Sequence, residues 1–440
     1  MDNIETKADV FLKKYDMNPD QIDMDDCCQV FLNEMEKGLE GRESSLDMIP
    51  TFMETDKDVP AEKKVIVMDA GGTNFRVAVV HFDKNKKAQI ENFKLHEMPG
   101  IEKEVSREEF FEVMAGYISD VVDEGSNIGF CFSYPAEIMP NKDGKVIRFS
   151  KEIKAKGVEG HKIGENLNAA LKSIGKEPKH VVILNDTVTT LLAGRATSFG
   201  KNYDSFIGFI LGTGTNTAYI ESNKNINKKP DLETSKSQII NIESGGFGKA
   251  PMGIIDKQFD KTTNNPGDHT FEKMISGAYL GPLILETIRQ AVKDELFSEE
   301  TCEKINNLKE LTTKDVNDFL QEPKNGENPL SKIFSARGDE SISSDIDILY
   351  DLIDKMVTRS AKLTAINLSS AVLKSGKGKD QNRPVCIVAE GTTFYKLRDF
   401  QSKVEKFLTE YLKKQKGRYY EIIQVENATL IGAAIAGLTN

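Results

Sequence analysis

Two stretches of this chain share one layout, and that repetition limits the fold more than any other feature. Residues 65–68 are wholly apolar, Asp69 ends the run, Gly71 and Gly72 permit a tight reversal, and 75–82 is strand-like again. Halfway along, the apolar run 206–211 enters Gly212-Thr213-Gly214-Thr215-Asn216 and leaves as 217–220. Each glycine hairpin is followed by a further strand candidate and then by helix and strand patterns. These are 88–95, 107–124, 127–133 and 181–184 in the first half, and 238–242, 344–374, 384–389 and 419–425 in the second. The same order met twice implies an internal duplication, hence two α/β domains with a cleft between them.

The hairpins also carry a chemical suggestion. With no side chain at Gly71 or Gly72, phosphate oxygens can reach main-chain N–H groups, and Asp69 could hold a metal-bound water beside them. One such hairpin is equally well a simple turn; the second copy is what points to phosphate. Neither loop has the Walker pattern, and neither has the spaced glycines of a dinucleotide fold.

Composition excludes several classes. The 440 residues suffice for two or three domains, and 39% hydrophobic residues can fill their cores. A net charge of −11 argues against nucleic acid as a partner, since phosphate backbones demand basic surface. No apolar run approaches the roughly 20 residues that cross a bilayer. The start, Met1-Asp2-Asn3-Ile4-Glu5, is acidic where a signal peptide is basic, so a cytoplasmic location is expected. Cys27, Cys28, Cys131, Cys302 and Cys386 lack metal or disulfide spacing and read as buried free thiols. A helical stripe from Cys28 through Leu39 stops at Gly41, the run 428–438 reads as a terminal helix, and 222–237 and 376–383 read as solvated loops.

Taken in order, a set of motifs across nearly the whole chain resembles the eukaryotic-type hexokinases, in the superfamily of actin and the seventy-kilodalton heat-shock ATPases. They include Gly38-Leu39-Glu40-Gly41, Asp69 to Arg76, Ser133-Tyr134-Pro135, Leu184-Asn185-Asp186-Thr187, Leu211 to Asn216, and Glu243-Ser244-Gly245-Gly246-Phe247-Gly248. Asn265-Pro266-Gly267, Phe271-Glu272-Lys273-Met274 and Glu390-Gly391-Thr392-Thr393 continue the match.

The resemblance implies two actin-like (ribonuclease H-like) α/β domains, each a mixed sheet with flanking helices, around a hinged cleft. The smaller would comprise 62–187 plus 429–440 and the larger 1–61 plus 188–428. It implies phosphoryl transfer from ATP, with Mg2+, to the 6-hydroxyl of glucose or a related hexose. Asp186 would be the general base; an ordinary aspartate is ionised at neutral pH without tuning. Without the family context, Asn185-Asp186-Thr187 is a helix cap, Ser133 a turn residue, and Glu272 a first-turn helix acid.

Residue by residue, the resemblance assigns Ser133, Ser150, Lys151, Asn185, Asp186, Asn216, Glu243 and Glu272 to the sugar. Lys151 is also a candidate for the transferred phosphate. Asp69, Gly71, Gly72, Thr73, Asn74 and Arg76 would form one phosphate loop, Gly212, Thr213, Gly214 and Thr215 the other, with Gly391, Thr392 and Thr393 near the adenosine. No metal cage of protein ligands is implied, because magnesium travels with the nucleotide.

Four positions depart from the family. Ala70 replaces Leu, and Trp-Thr-Lys-Gly is here Phe149-Ser150-Lys151-Glu152. Asn427-Ala428-Thr429 stands for Gly-Ser-Gly, which weakens the adenine side, and Pro282 replaces Glu. The alternatives are a non-catalytic sugar sensor of the same fold, or a kinase with another sugar or phosphate donor. One hexokinase unit is expected rather than a tandem pair, as a monomer or homodimer.

Overall fold

The computed structural model describes residues 5–55, 57–149, 153–197, 201–324, 326–334 and 340–440. The strands are β1 (Ile49–Pro50), β2 (Val65–Gly71), β3 (Asn74–Phe82), β4 (Ala88–Glu97), β5 (Val105–Ser106), β6 (Asn127–Phe132), β7 (Ala136–Ile138), β8 (Gly144–Val146), β9 (Ala155–Lys156) and β10 (His180–Leu184). They continue with β11 (Ser205–Leu211), β12 (Thr215–Ser222), β13 (Ser237–Asn241), β14 (Val385–Glu390) and β15 (Tyr420–Ile423).

Two mixed sheets carry the architecture. The first runs β10-β6-β2-β3-β4 and the second β15-β14-β11-β12-β13-β1. In each, the hairpin's first strand pairs antiparallel with its second and parallel with a strand from a helical crossover, β6 or β14. The order is the same in both, so the duplication read from the glycine hairpins is a duplication of topology. Parallel strands buried on both faces demand apolar residues throughout, which is why β2, β6 and β14 read as continuous hydrophobic runs.

Three apolar cores follow from this arrangement. One lies on the far side of the larger sheet against the helices Met24–Glu40 and Glu340–Ser375, and a second on the far side of the smaller sheet. The third lies between the sheets and contains the helices Asp186–Thr197 and Ala428–Thr439. Glycines let the first of these helices be approached closely from both sides. On the C-terminal helix a Cβ on Gly432 would stand 1.9 Å from the Thr189 carbonyl oxygen, and on β11 one at Gly208 would stand 2.1 Å from that of Thr187.

Most expected elements appear at their expected places, and the differences have local causes. The helix expected over 107–124 ends at Ile118 and continues as a short 3-10 turn at Val122–Glu124. The polar stretch 222–237 is not wholly solvated: Ile226 is buried in the larger core, and Asn223 donates to the Glu233 carbonyl at 2.9 Å. Pro282 sits in the first turn of the helix Leu280–Lys293, where its missing N–H costs nothing. Of the five thiols, Cys28, Cys131 and Cys386 are buried, while Cys27 and Cys302 are only partly so. No helix among the described residues is long and apolar enough to cross a membrane.

Candidate active site

Strand ends and hairpin tips from the two sheets supply the polar groups of the cleft. Asp69 is the fifth residue of β2, inward-facing and buried, and its Oδ2 accepts from Thr429 Oγ1 at 2.8 Å with Arg76 Nε at 3.5 Å. The turn beyond it is held from outside. Tyr134 Oη donates to the Gly72 carbonyl at 2.7 Å, and Met98 N–H to that of Thr73 at 3.0 Å. Gly72 has φ +52°, a left-handed value that favours glycine, and Gly72, Thr73 and Asn74 are exposed with free room above them.

β10 ends at Leu184, and Asp186 opens the following helix, so its carboxylate sits at the positive end of that helix. Asp186 Oδ1 accepts from the Thr187 N–H at 2.8 Å, and the Ser133 hydroxyl also bonds the carboxylate. The residue is partly buried as a whole, and protein surrounds its carboxylate closely. Burial above all, with the Glu243 and Asp69 charges adding to it and the Thr187 bond opposing it, pushes its pKa up to about 7. The expectation of an untuned, fully ionised aspartate is therefore corrected: Asp186 is tuned into the neutral range by desolvation and by like charge.

The opposite wall comes from the larger sheet. Asn216, near the start of β12, donates through Nδ2 to Asn241 Oδ1 at 2.8 Å, and its Oδ1 accepts the Thr217 N–H at 2.7 Å. Asn241 Nδ2 in turn holds Glu243 Oε1 at 2.7 Å. Glu243 adopts φ +56°, a conformation rare outside glycine and asparagine, just before the Ser244–Gly246 turn. Burial raises its pKa to about 6. Glu272 Oε2 accepts the Thr215 N–H at 2.8 Å, and burial raises that carboxyl as well. Gly214 leaves room for this carboxylate, since a Cβ there would stand 2.6 Å from Glu272 Oε2 and displace it.

A second cavity of about 460 Å³ opens beside the larger hairpin. It is lined by Thr213, Gly277, Ala278, Thr313, Lys314, Asn317, Asp318, Thr392, Thr393, Lys396 and Leu397. Its floor is tied together by the Gly212 carbonyl, which accepts from Gly277 N–H and Thr393 Oγ1, both at 2.8 Å. Gly391 has φ +114°, and a Cβ there would lie 2.2 Å from the Leu211 carbonyl oxygen, so glycine alone lets this strand end approach the hairpin. The size and the mix of hydroxyl, amide and apolar groups suit a nucleoside, with Lys396 as a cation on the wall and Lys314 paired with Asp318.

The structure thus brings Asp69, Ser133, Asn185, Asp186, Asn216, Glu243 and Glu272 into one polar network, with Asn185 Oδ1 3.4 Å from Asn216 Nδ2. Gly212, Thr213, Gly391, Thr392 and Thr393 gather at the second cavity, whereas Gly214 and Thr215 pack against Glu272. Gly71, Gly72, Thr73, Asn74 and Arg76 form the other hairpin. Ser150 and Lys151 lie outside the described residues. Sequence reasoning missed Asn241 and the lysines Lys314 and Lys396. Asn241 was legible as an amide ending an apolar strand two residues before Glu243. It also set Asn427-Ala428-Thr429 down as a weakening of the adenine side, whereas the Thr429 hydroxyl bonds Asp69. Among the described residues, no cluster of His, Cys, Asp and Glu could hold a metal by itself.

Comparison with known proteins agrees in two registers. The family described as Hexokinase matches residues 7–196 and again 206–439. Hexokinase-1 of Schizosaccharomyces pombe is 29% identical over 422 residues, covering 92% of this chain and 85% of that one. Hexokinase-2 of Rattus norvegicus is 28% identical, covering 91% of this chain but 45% of that one, so the chain spans about half of the rat protein. Among solved structures, the hexokinase from Schistosoma mansoni complexed with glucose shares the fold at a TM-score of 0.79 and 23% identity, covering 99% of this chain and 100% of that one. With two actin-like halves in tandem order and family matches that together take in nearly every residue, this chain belongs to the hexokinase family of sugar kinases.

Proposed function

We propose that the protein is an ATP-dependent hexokinase that phosphorylates the 6-hydroxyl of glucose and related hexoses. The observation that carries this reading is Asp186, a carboxylate at the end of β10 that opens the following helix, its Oδ1 held by the Thr187 N–H at 2.8 Å and its proton affinity raised by burial. A base matched to neutral pH can accept the hydroxyl proton as the new O–P bond forms and the bond to the departing diphosphate breaks. Phosphoryl transfer asks the protein mainly for position and charge, so one base suffices.

In this reading Asn185, Asn216, Glu243 and Glu272, together with Ser133, Ser150 and Lys151, pair the ring hydroxyls of the sugar. Buried amides and carboxylates favour such a ligand because any analogue lacking a hydroxyl leaves them unpaired. Asp69, Arg76 and the hairpin N–H groups of 71–74 would face the phosphates, and Thr213, Thr392 and Thr393 the nucleoside. The residues fit a nucleotide that brings its own magnesium, which when bound neutralises phosphate charge. Closure of 62–187 plus 429–440 upon 1–61 plus 188–428 would exclude water, the competing acceptor.

The test is sugar 6-phosphate formation from glucose, fructose and mannose with magnesium ATP, beside Asp186→Ala. Product from the wild type and loss of about 10²-fold or more in the variant is expected. Sugar binding without product from any triphosphate or pyrophosphate would replace the kinase by a sensor of the same fold.

A further inference from the structure

Near the mouth of the cleft, an arginine from the smaller sheet's side meets a histidine from the larger sheet's side. Arg148 follows β8 in a segment whose Val146 and Phe149 pack with the smaller sheet's core. His269 precedes the short helix Thr270–Ile275, whose Phe271 and Met274 belong to the larger sheet's core. Across the gap, Arg148 Nη2 donates to His269 Nε2 at 3.0 Å.

Neither partner is placed by burial. Arg148 is exposed and His269 only partly covered, so the contact is not a by-product of core packing. His269 holds φ +49°, a left-handed conformation uncommon for a residue with a Cβ. That residue stands immediately before the helix bearing Glu272. Asp268 Oδ1 lies 3.7 Å from the same Nε2 and competes for it. The pair is also near the two acids assigned to the sugar: the Arg148 guanidinium is within electrostatic reach of Glu243, and His269 stands three residues before Glu272 at the start of the same helix. A contact that joins two separately cored bodies at the mouth of an acid-lined pocket opposes their separation.

We propose that Arg148 and His269 form a clasp across the mouth of the sugar pocket, positioning residues that hold the two halves near the closed arrangement and so tighten hexose binding. The proposal rests on the hexokinase reading above. Closing the cleft is work that binding must otherwise supply, and a clasp that supplies part of it lowers the apparent dissociation constant without touching the reacting atoms.

The experiment is a double-mutant cycle with Arg148→Met, His269→Leu and the pair, and with His269→Gln, which keeps an acceptor at similar reach. Glucose affinity is read by calorimetry, kcat and KM by product formation, and the radius of gyration by small-angle scattering with and without sugar. Each single variant is expected to weaken glucose binding by about tenfold, the size of one hydrogen bond to a charged group. The double variant should be no weaker than either single, Gln should restore most of the affinity, and kcat should change less than KM. Without sugar the Arg148→Met protein should scatter as a larger particle; with saturating sugar it should match the wild type.

Unchanged affinity and unchanged scattering in Arg148→Met, or strictly additive losses in the cycle, would overturn the clasp. Arg148→Met introduces no backbone strain, so its result stands even where His269→Leu is unstable. A wild type that binds no hexose would instead overturn the hexokinase reading, and the ligand-free scattering would then decide the clasp alone.

Discussion

Replacing Asp186 by Asn should make the protein more stable at alkaline pH while removing its activity. The folded carboxyl titrates near 7 and the unfolded one near 3.9, so the native state binds the extra proton between those values. Stability therefore falls as pH rises across that window, is unaffected by this group below it, and has lost the full amount above it. Three units correspond to a ceiling of about 4 kcal/mol, and the partial exposure of Asp186 brings a realistic figure to about 2 kcal/mol. Asn presents an amide oxygen to the Thr187 N–H in place of Oδ1, so the helix cap survives and only the charge is removed. With an unfolding entropy of about 2.1 cal/mol/K per residue over 440 residues, 2 kcal/mol raises Tm by about 2 °C if the chain unfolds as one unit. Thermal melts of both proteins at pH 4.5 and 8 check this: the variant should gain at pH 8 and show little difference at pH 4.5. A variant no more stable than the wild type at pH 8, or equally stabilised at both, would refute the claim that Asp186 is held at an energetic cost.

Four further outcomes are expected. Wild-type turnover should rise with pH through about 7 and level off above it, as Asp186 loses its proton; a flat profile from pH 6 to 8 would remove it as the base. Asn241→Ala leaves Glu243 Oε1 and Asn216 Nδ2 short of a partner, and should weaken hexose binding about tenfold by calorimetry, with little change in KM for ATP. Thr429→Val removes the hydroxyl that holds Asp69, and should raise the KM for magnesium ATP more than that for sugar, with Thr429→Ser close to wild type. Arg359→Met strands the Asp256 carboxylate in the interior, where it now meets Arg359 Nη1 at 3.2 Å, and should cost about 3–5 kcal/mol in denaturant unfolding.

How much of this was legible in the sequence depended on how far each signal was local. The glycine hairpins, the apolar strands and the terminal helix announce themselves within ten residues, because turn sterics and burial act on neighbours. The repeated strand order in the two sheets followed from reading those signals twice. Asp186 was nameable only through the family resemblance, since Asn-Asp-Thr after a strand is also an ordinary cap. Its tuning was not legible at all: it arises first from burial in the assembled cleft and then from Glu243 and Asp69, which the fold brings from opposite sheets. The bond from Thr429 to Asp69 spans 360 residues, and Asn241, Lys314 and Lys396 acquire their meaning only from where the second half folds.

The glycine contacts between the sheets have a mechanical consequence. The helix Asp186–Thr197 is gripped on one side by β11 at Gly208 and on the other by the C-terminal helix at Gly432. Points on an axle travel least when the wheels turn. If the halves rotate about this helix pair, the hairpin tips at 71–74 and 212–214 sweep through the largest arcs, while Asp186, at the axle's end, stays nearly still. Motion would then change the company the carboxylate keeps and the water it sees, and leave its own position as the fixed reference about which both substrates are brought to bear.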